Sequence, residues 1–481
     1  MAVSATLFSI DWILILLYFF FLIWLSWKKG WSDESEEEFL LSGRKVTIPA
    51  FVATLVSTWY GGILGVGEFS YQFGISMWLI FGLPFYLFSA IFAVLLAGKI
   101  RLNKALTIPE AIANRYTPLA GRVSALPIFI LVSPAPYILM LAVLFQFMIG
   151  GDVPYLMYAS LVALFSVLYI TIGGFGAVIR TDILQIVLMF SGFGMLLLFA
   201  VAEFGGVGLL FSELPDLHTD FTGGFSWQYI LVWFFIALWT FVDPSFHQRA
   251  AAAESPETAK KGIFISIGFW TFFDFLTCFT GLYAFAILGG GLENPILSYP
   301  VLADQLLPIG LKGLFFVTLL ATIMSTLDSY LFISGQTLGR DYLKKYLPSI
   351  NPNWLTRAGI LISAVIGIIL TILYPSVIDL WYVIGSVCIP GLLIPVLGIY
   401  LPIFQLRTVF ALPALVIPIL ISLTWLILGT YFPAGGEGYL YMGVEPFYPG
   451  LFVAFVIWLI GRAKNGKTES DLYGGDLIDE K

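Results

Sequence analysis

Apolar residues run through this chain in blocks close to twenty residues long, separated by short polar segments. That is the length an α-helix needs to cross the hydrocarbon of a bilayer, and it is not the alternating ten-residue pattern of barrel strands. About thirteen spans are predicted, centred near Leu16, Gly61, Phe85, Leu139, Leu164, Phe190, Phe235, Leu276, Met324, Gly367, Gly391, Ile419 and Phe455. The expected class is an all-α integral membrane protein.

One span carries polar side chains where lipid would penalise them. Within Leu311–Gly335 the segment Ala321–Tyr330 reads ATIMSTLDSY. Thr322, Ser325, Thr326 and Ser329 fall at helical spacing i, i+3, i+4, i+7 and share a face, with Asp328 beside it. Hydroxyls can bond back to carbonyls of their own helix and help it pack. Four on one face together with a carboxylate suit a dehydrated small cation better, because such an ion needs several hard oxygens and limited negative charge.

Composition agrees with the pattern. Of 481 residues, 59% are hydrophobic, 17% aromatic and 11% charged, against about 25% charged in soluble domains. Nucleic acid is not an expected partner; the bilayer is. The two cysteines and two histidines show no metal-ligand spacing and no disulfide framework. No cofactor is expected. Lys28 and Lys29 follow the first apolar run, as in an uncleaved anchor with its N-terminus outside.

Charge placement tests the span count. Basic residues follow the odd-numbered spans: Arg44 and Lys45 after the first, Arg101 and Lys104 after the third, Arg249 and Lys260 after the seventh, Arg340 and Lys344 after the ninth. All then share one side, and Lys312 is the exception. The positive-inside rule puts that side in the cytoplasm, with the C-terminus, at a plasma (inner) membrane.

Two spans read as interrupted. The second holds STWYGGILGVG, where glycines weaken the helix and admit close neighbours. The seventh reaches Asp243-Pro244, where proline removes a helix hydrogen bond. Corresponding breaks five spans apart point to an inverted-repeat transporter with its site at the breaks.

Four stretches then resemble the sodium:solute symporter family: Phe39-LLSGR, Ser57–Gly67, Gly173-GFGAVIRTDILQ and Ala321–Tyr330. The resemblance covers nearly the whole chain, and the GGF-x-AV-x-x-TD-x-x-Q pattern is its most specific part. It implies a LeuT-like core of five plus five inverted helices, with one extra helix before and two after. The core repeats would span about 47–203 and 226–404 of a transporter domain 1–464, and 465–481 would form a polar tail. It also implies a sodium site made by carbonyls of Leu55 and Thr58 with Thr322, Ser325 and Thr326. Asp182, Asp328 and Ser329 match the positions of a second cation in some members; Asp328 stands where serine is frequent there, so a proton site is equally open. Expected substrate contacts are Ser57, Trp59, Gly61, Gly62, Phe241, Asp243, Phe246 and Trp381. Trp59 fits the choline-type members, but Asp243 stands where such a cage would continue, so choline is not supported.

The expected function is sodium-coupled import of a small organic solute (amino acid, amine, sugar or carboxylate) by alternating access. A proton-coupled carrier of the same fold and a non-transporting sensor are the rivals. An enzyme is not expected, since no acid, histidine or nucleophile cluster is apparent.

Overall fold

The computed structural model describes residues 4–27, 35–433 and 439–463. The anchor lysines Lys28 and Lys29 and the expected tail 465–481 lie outside these. Among the described residues, pairing outside helices is confined to isolated bridges such as Val46 with Ala253, and 11 helices are long and apolar enough to span a membrane. A 50-residue helix, Tyr155–Phe204, covers the expected fifth and sixth spans together. The thirteenth expected centre, Phe455, lies in a shorter helix, Phe447–Gly461.

The helices that build the site are α1 (Ser9–Trp27), α2 (Ile48–Trp59), α3 (Ile63–Phe73), α4 (Tyr155–Phe204), α5 (Trp227–Ile236), α6 (Trp239–Val242), α7 (Pro244–Ala252), α8 (Pro256–Leu288), α9 (Leu311–Gln336) and α10 (Val377–Tyr400). Helix α9 is the axis of the molecule: every residue from Phe315 to Gln336 is buried. A helix apolar on nearly all sides is stable only when wrapped, and α1, α2, α4 and the helix Pro352–Leu373 pack around it. Asp11 of α1 accepts the backbone N–H groups of Gly310 and Gly313 at 2.8 Å each, so the start of α9 is capped from another helix. By contrast only 28% of the apolar window of α1 is buried, which leaves its other faces to lipid.

Helix α4 bends at Gly174, whose φ of 56° and ψ of −159° are non-helical. A Cβ there would lie 2.6 Å from the ring of Phe39. Both the dihedral and the space demand glycine, which explains the glycines of the Gly173–Gln185 motif. The bend lets one continuous element serve as two spans and carries Asp182 inward.

Both expected interruptions are present. A 3₁₀ turn, Tyr60–Gly62, separates α2 from α3. The second is broken twice: α5 ends at Ile236, α6 ends at Val242, and Asp243 with ψ 114° leads into α7. Asp243 caps α7 by accepting from Ser245 N at 2.7 Å.

The basic residues gather at one end of the bundle. Arg44 donates to the carbonyls of Asn103 and Ala251 at 3.2 and 3.3 Å, tying the end of α7 to the Phe39–Arg44 stretch. Arg340 pairs with Glu36, Glu110 and Asp341 at 2.7, 3.1 and 2.9 Å. Lys312, at the opposite end, is neutralised by Asp304 at 2.8 Å. Arg249 departs from the expectation: it is not a loop residue at the basic end but is fully buried at 0% exposure. Its helix α7 continues the broken segment into the protein, where a buried cation needs partners.

Candidate functional site

The breaks face α9. Thr58 lies in the last turn of α2, where carbonyls lack partners in their own helix. Its carbonyl accepts from Thr326 Oγ1 at 2.6 Å. Gly61 permits that approach, because a Cβ there would sit 2.1 Å from Thr326 Oγ1. The adjacent Ser325 Oγ donates to Asp182 Oδ1 at 2.6 Å, and Thr54 Oγ1, one turn before Thr58, donates to Asp182 Oδ2. Ser325, Thr326, Thr58 and Asp182 thus converge from three helices. Thr322 stays with its own helix, donating to Thr318 O at 2.7 Å. Leu55 is buried one turn before Thr58.

A residue that sequence reasoning left outside joins them. Arg249 donates from Nη2 to Thr58 Oγ1 at 2.6 Å and to Ser329 Oγ at 2.8 Å, and from Nε to Thr54 O at 3.2 Å. Nη1 reaches Ser245 O at 3.4 Å, and Nη2 stands 3.8 Å from Asp182 Oδ2. The guanidinium therefore lies among Thr58, Ser329 and Asp182, and its fork spans acceptors that a point charge could not reach together. The sequence signal was a lone basic residue soon after a proline break, on a helix whose neighbours His247 and Gln248 disguise it as a loop.

Asp328 takes a different direction from Ser325 and Ser329. It accepts the Tyr169 hydroxyl of α4 through Oδ2, and its Oδ1 has no hydrogen-bond partner. Gln185 links Asp182 with Tyr18: with its amide nitrogen 3.2 Å from Asp182 Oδ1, its oxygen accepts from the Tyr18 hydroxyl at 3.1 Å.

Next to this polar centre lies a cavity of about 110 Å³. Of the expected substrate contacts, Trp59, Gly62, Asp243 and Trp381 line it. Gly62 is obligatory there, since a Cβ would meet the Trp381 indole at 2.1 Å. The other expected contacts stand behind the wall. Ser57 bonds to Ala53 O at 2.8 Å, Gly61 faces Thr326, Phe241 packs on Phe88, and Phe246 supports Trp59 with ring centroids 5.6 Å apart. Sequence reasoning missed Tyr137, Trp233 and Tyr330 as lining residues. Asp274, isolated in the sequence, also borders the cavity and accepts from Tyr60 at 2.9 Å and from Tyr86. Glu68 is half-buried on α3.

Broken helices that meet a fully buried helix at a hydroxyl–carbonyl contact define a multi-pass membrane transporter. A profile of the sodium:solute symporter family matches residues 39–404, and the chain belongs to that family of sodium-coupled symporters. It is 26% identical over 400 residues to the sodium/glucose cotransporter of Vibrio parahaemolyticus, covering 73% of this chain and 72% of that protein. It is 28% identical over 368 residues to the sodium/proline symporter of Haemophilus influenzae, covering 69% and 71%. A Na+-coupled sialic acid symporter in a substrate-bound, outward-open state superposes with a TM-score of 0.78 at 16% identity, over 96% of this chain and 99% of that one. The fold is accordingly LeuT-like. The chain is a transporter and not an enzyme.

Proposed function

We propose that the chain imports a small organic solute across the plasma membrane with one sodium ion per cycle. The sodium would bind between α2 and α9, on the carbonyls of Leu55 and Thr58 and the hydroxyls of Ser325 and Thr326. The observation that carries this is the 2.6 Å contact of Thr326 Oγ1 with Thr58 O across the helix break. It sets a hydroxyl oxygen and an end-of-helix carbonyl side by side, which is the hard-oxygen pairing a small cation uses. Thr322 would serve only by turning away from Thr318 O.

The second set, Asp182, Asp328 and Ser329, is better suited to a proton than to a second sodium. Arg249 already brings a positive charge to Asp182 and Ser329. A cation about 4 Å from that guanidinium would meet a repulsion of about 4 kcal/mol at an effective dielectric of ~20. Asp328, with one oxygen unpartnered, is the proton candidate.

We read the chain as thirteen crossings with the N-terminus outside, supported by the basic residues collected at one end, and as repeats near 47–203 and 226–404. One charge moved inward through ~100 mV contributes roughly 2.3 kcal/mol to uptake. The test is solute uptake into proteoliposomes under an inward sodium gradient against an equal potassium gradient at fixed pH. Uptake that needs sodium supports the reading; equal uptake in potassium, or uptake in a sodium-free arm with an imposed pH gradient that matches the sodium-driven rate, overturns it.

A further inference from the structure

The cavity beside the breaks also carries a chemical preference, and reading it rests on the assignment of that cavity as the solute site. Its walls are largely aromatic: Trp59, Trp381, Tyr137 and Trp233 line it. Ring faces carry negative quadrupole density and attract cations. Among the described residues, the charged ones on its wall are Asp243 and Asp274, with no lysine, arginine or histidine.

The two acids differ. Asp274 is held by the hydroxyls of Tyr60 and Tyr86, so both its oxygens accept from the protein. Asp243 is 0% exposed; its Oδ1 caps α7 by accepting from Ser245 N, while its Oδ2 makes no full hydrogen bond and the Tyr330 hydroxyl, also on the cavity wall, is the protein donor that approaches this carboxylate. A buried carboxylate oxygen without a full hydrogen bond is costly. It lines the space in which a solute would sit, so the missing bond can come from the solute. Arg249, six residues further along, does not supply it, being held by Thr58, Ser329, Thr54 and Ser245.

We propose that the transported solute is a small protonated amine whose N–H donates to Asp243 Oδ2 while its alkyl groups lie against the Trp59 and Trp381 rings. A carboxylate solute would face two acids with no cation on the wall. A sugar would bring hydroxyls but no positive charge to the two acids and the aromatic rings. A quaternary ammonium has the charge but no N–H for Asp243.

The test is ligand quenching of tryptophan fluorescence by the purified full chain in detergent, with and without sodium, corroborated by uptake in proteoliposomes. The probes are dimethylethanolamine, its neutral carbon isostere 3-methylbutan-1-ol, choline, proline, lactate and glucose. Dimethylethanolamine is expected to bind at least tenfold more tightly than the neutral isostere and more tightly than choline. Asp243→Asn, which keeps an oxygen to cap Ser245 N, is expected to weaken dimethylethanolamine at least tenfold. Tighter binding of proline, lactate, glucose or the neutral isostere overturns the inference, as does choline binding equal to the amine, or Asp243→Asn within threefold of the parent. Failure of every probe to bind also overturns it. Binding of the amine without any sodium effect leaves the amine inference standing and removes the sodium reading, so the two failures are distinguishable.

Discussion

Arg249 Nη2 lies 2.6 Å from Thr58 Oγ1, which places a guanidinium against the broken helix at the centre of the membrane domain. The same nitrogen is 2.8 Å from Ser329 Oγ and 3.8 Å from Asp182. One side chain thus joins α2, α4, α7 and α9. Arg249→Gln removes the charge and leaves Asp182 buried beside unmatched acceptors. The expected cost is about 3–5 kcal/mol, read as a large fall in the detergent melting temperature. Arg249→Lys keeps the charge but not the fork, and is expected to fall between the two. A Gln variant as stable as the parent would show that the guanidinium is not needed to hold these helices.

Thr326→Ala and Ser325→Ala address the sodium assignment. Each deletes one proposed oxygen ligand while leaving the helix former alanine in its place. The half-saturating sodium concentration for uptake is expected to rise at least tenfold in each, an effect of about 1.4 kcal/mol or more. Thr322→Ala is expected to change it less than threefold, because Thr322 is bonded within α9 at 2.7 Å. Parallel sodium titrations of the three variants check the ranking.

Gly61→Ala would press a methyl group to 2.1 Å from Thr326 Oγ1 and 2.2 Å from its Cβ. Backbone or rotamer must shift, a strain of about 1–3 kcal/mol. Because the displaced contact is the one between the break and α9, sodium-dependent uptake is expected to fall more than tenfold even where the protein still assembles. Size-exclusion profiles separate assembly from activity.

Gly174→Ala combines a positive φ of 56° with a Cβ 2.6 Å from Phe39. The expected loss is about 2 kcal/mol or more in stability, with a lower yield of folded protein. Gly194, whose Cβ would meet nothing within 4 Å, is the matched control on the same helix; its alanine variant should express like the parent.

His218 lies between the spans and packs on Phe285 at 3.9 Å between ring centroids. Its Nε2–H donates to Tyr71 O at 2.8 Å, and its Nδ1 has no partner. Burial holds the imidazole below its ordinary pKa. The unfolded or detached segment therefore binds the proton more readily. Stability from this packing is present above about pH 6.5 and falls as the pH drops through and below that value. Melting curves at pH 7.5 and 5.5 should show a larger acid loss for the parent than for His218→Phe.

The architecture was legible because lipid enforces it. Span lengths, the glycine run at Gly61 and Gly62 and the Asp243-Pro244 break each follow from what a bilayer allows. The expected shared face of Ser325 and Thr326 came from spacing; in the structure Thr326 meets Thr58 and Ser325 meets Asp182. Arg249 was not legible: a polar run reads as loop unless its partners are known, and four of those partners (Thr54, Thr58, Ser245 and Ser329) lie on three different helices. Asp328 was legible as an oddity but not as a partner of Tyr169, because no local pattern links residues 159 apart. Of the eight expected contacts, Trp59, Gly62, Asp243 and Trp381 line the cavity and the other four do not. Periodicity cannot tell an aromatic that faces a void, such as Trp59, from one that props it, such as Phe246.

The burial of α9 on every side also constrains how the molecule is made. Asp328 would cost about 2.5–3.5 kcal/mol on a helix entering lipid alone. Its phenol partner Tyr169 and the capping carboxylate Asp11 both belong to helices synthesised earlier. The polar partners of α9 are thus made before it, while one apolar wall, Pro352–Leu373, follows; a fault in α1 or the first half of α4 should be felt as failed insertion of a segment translated more than a hundred residues later.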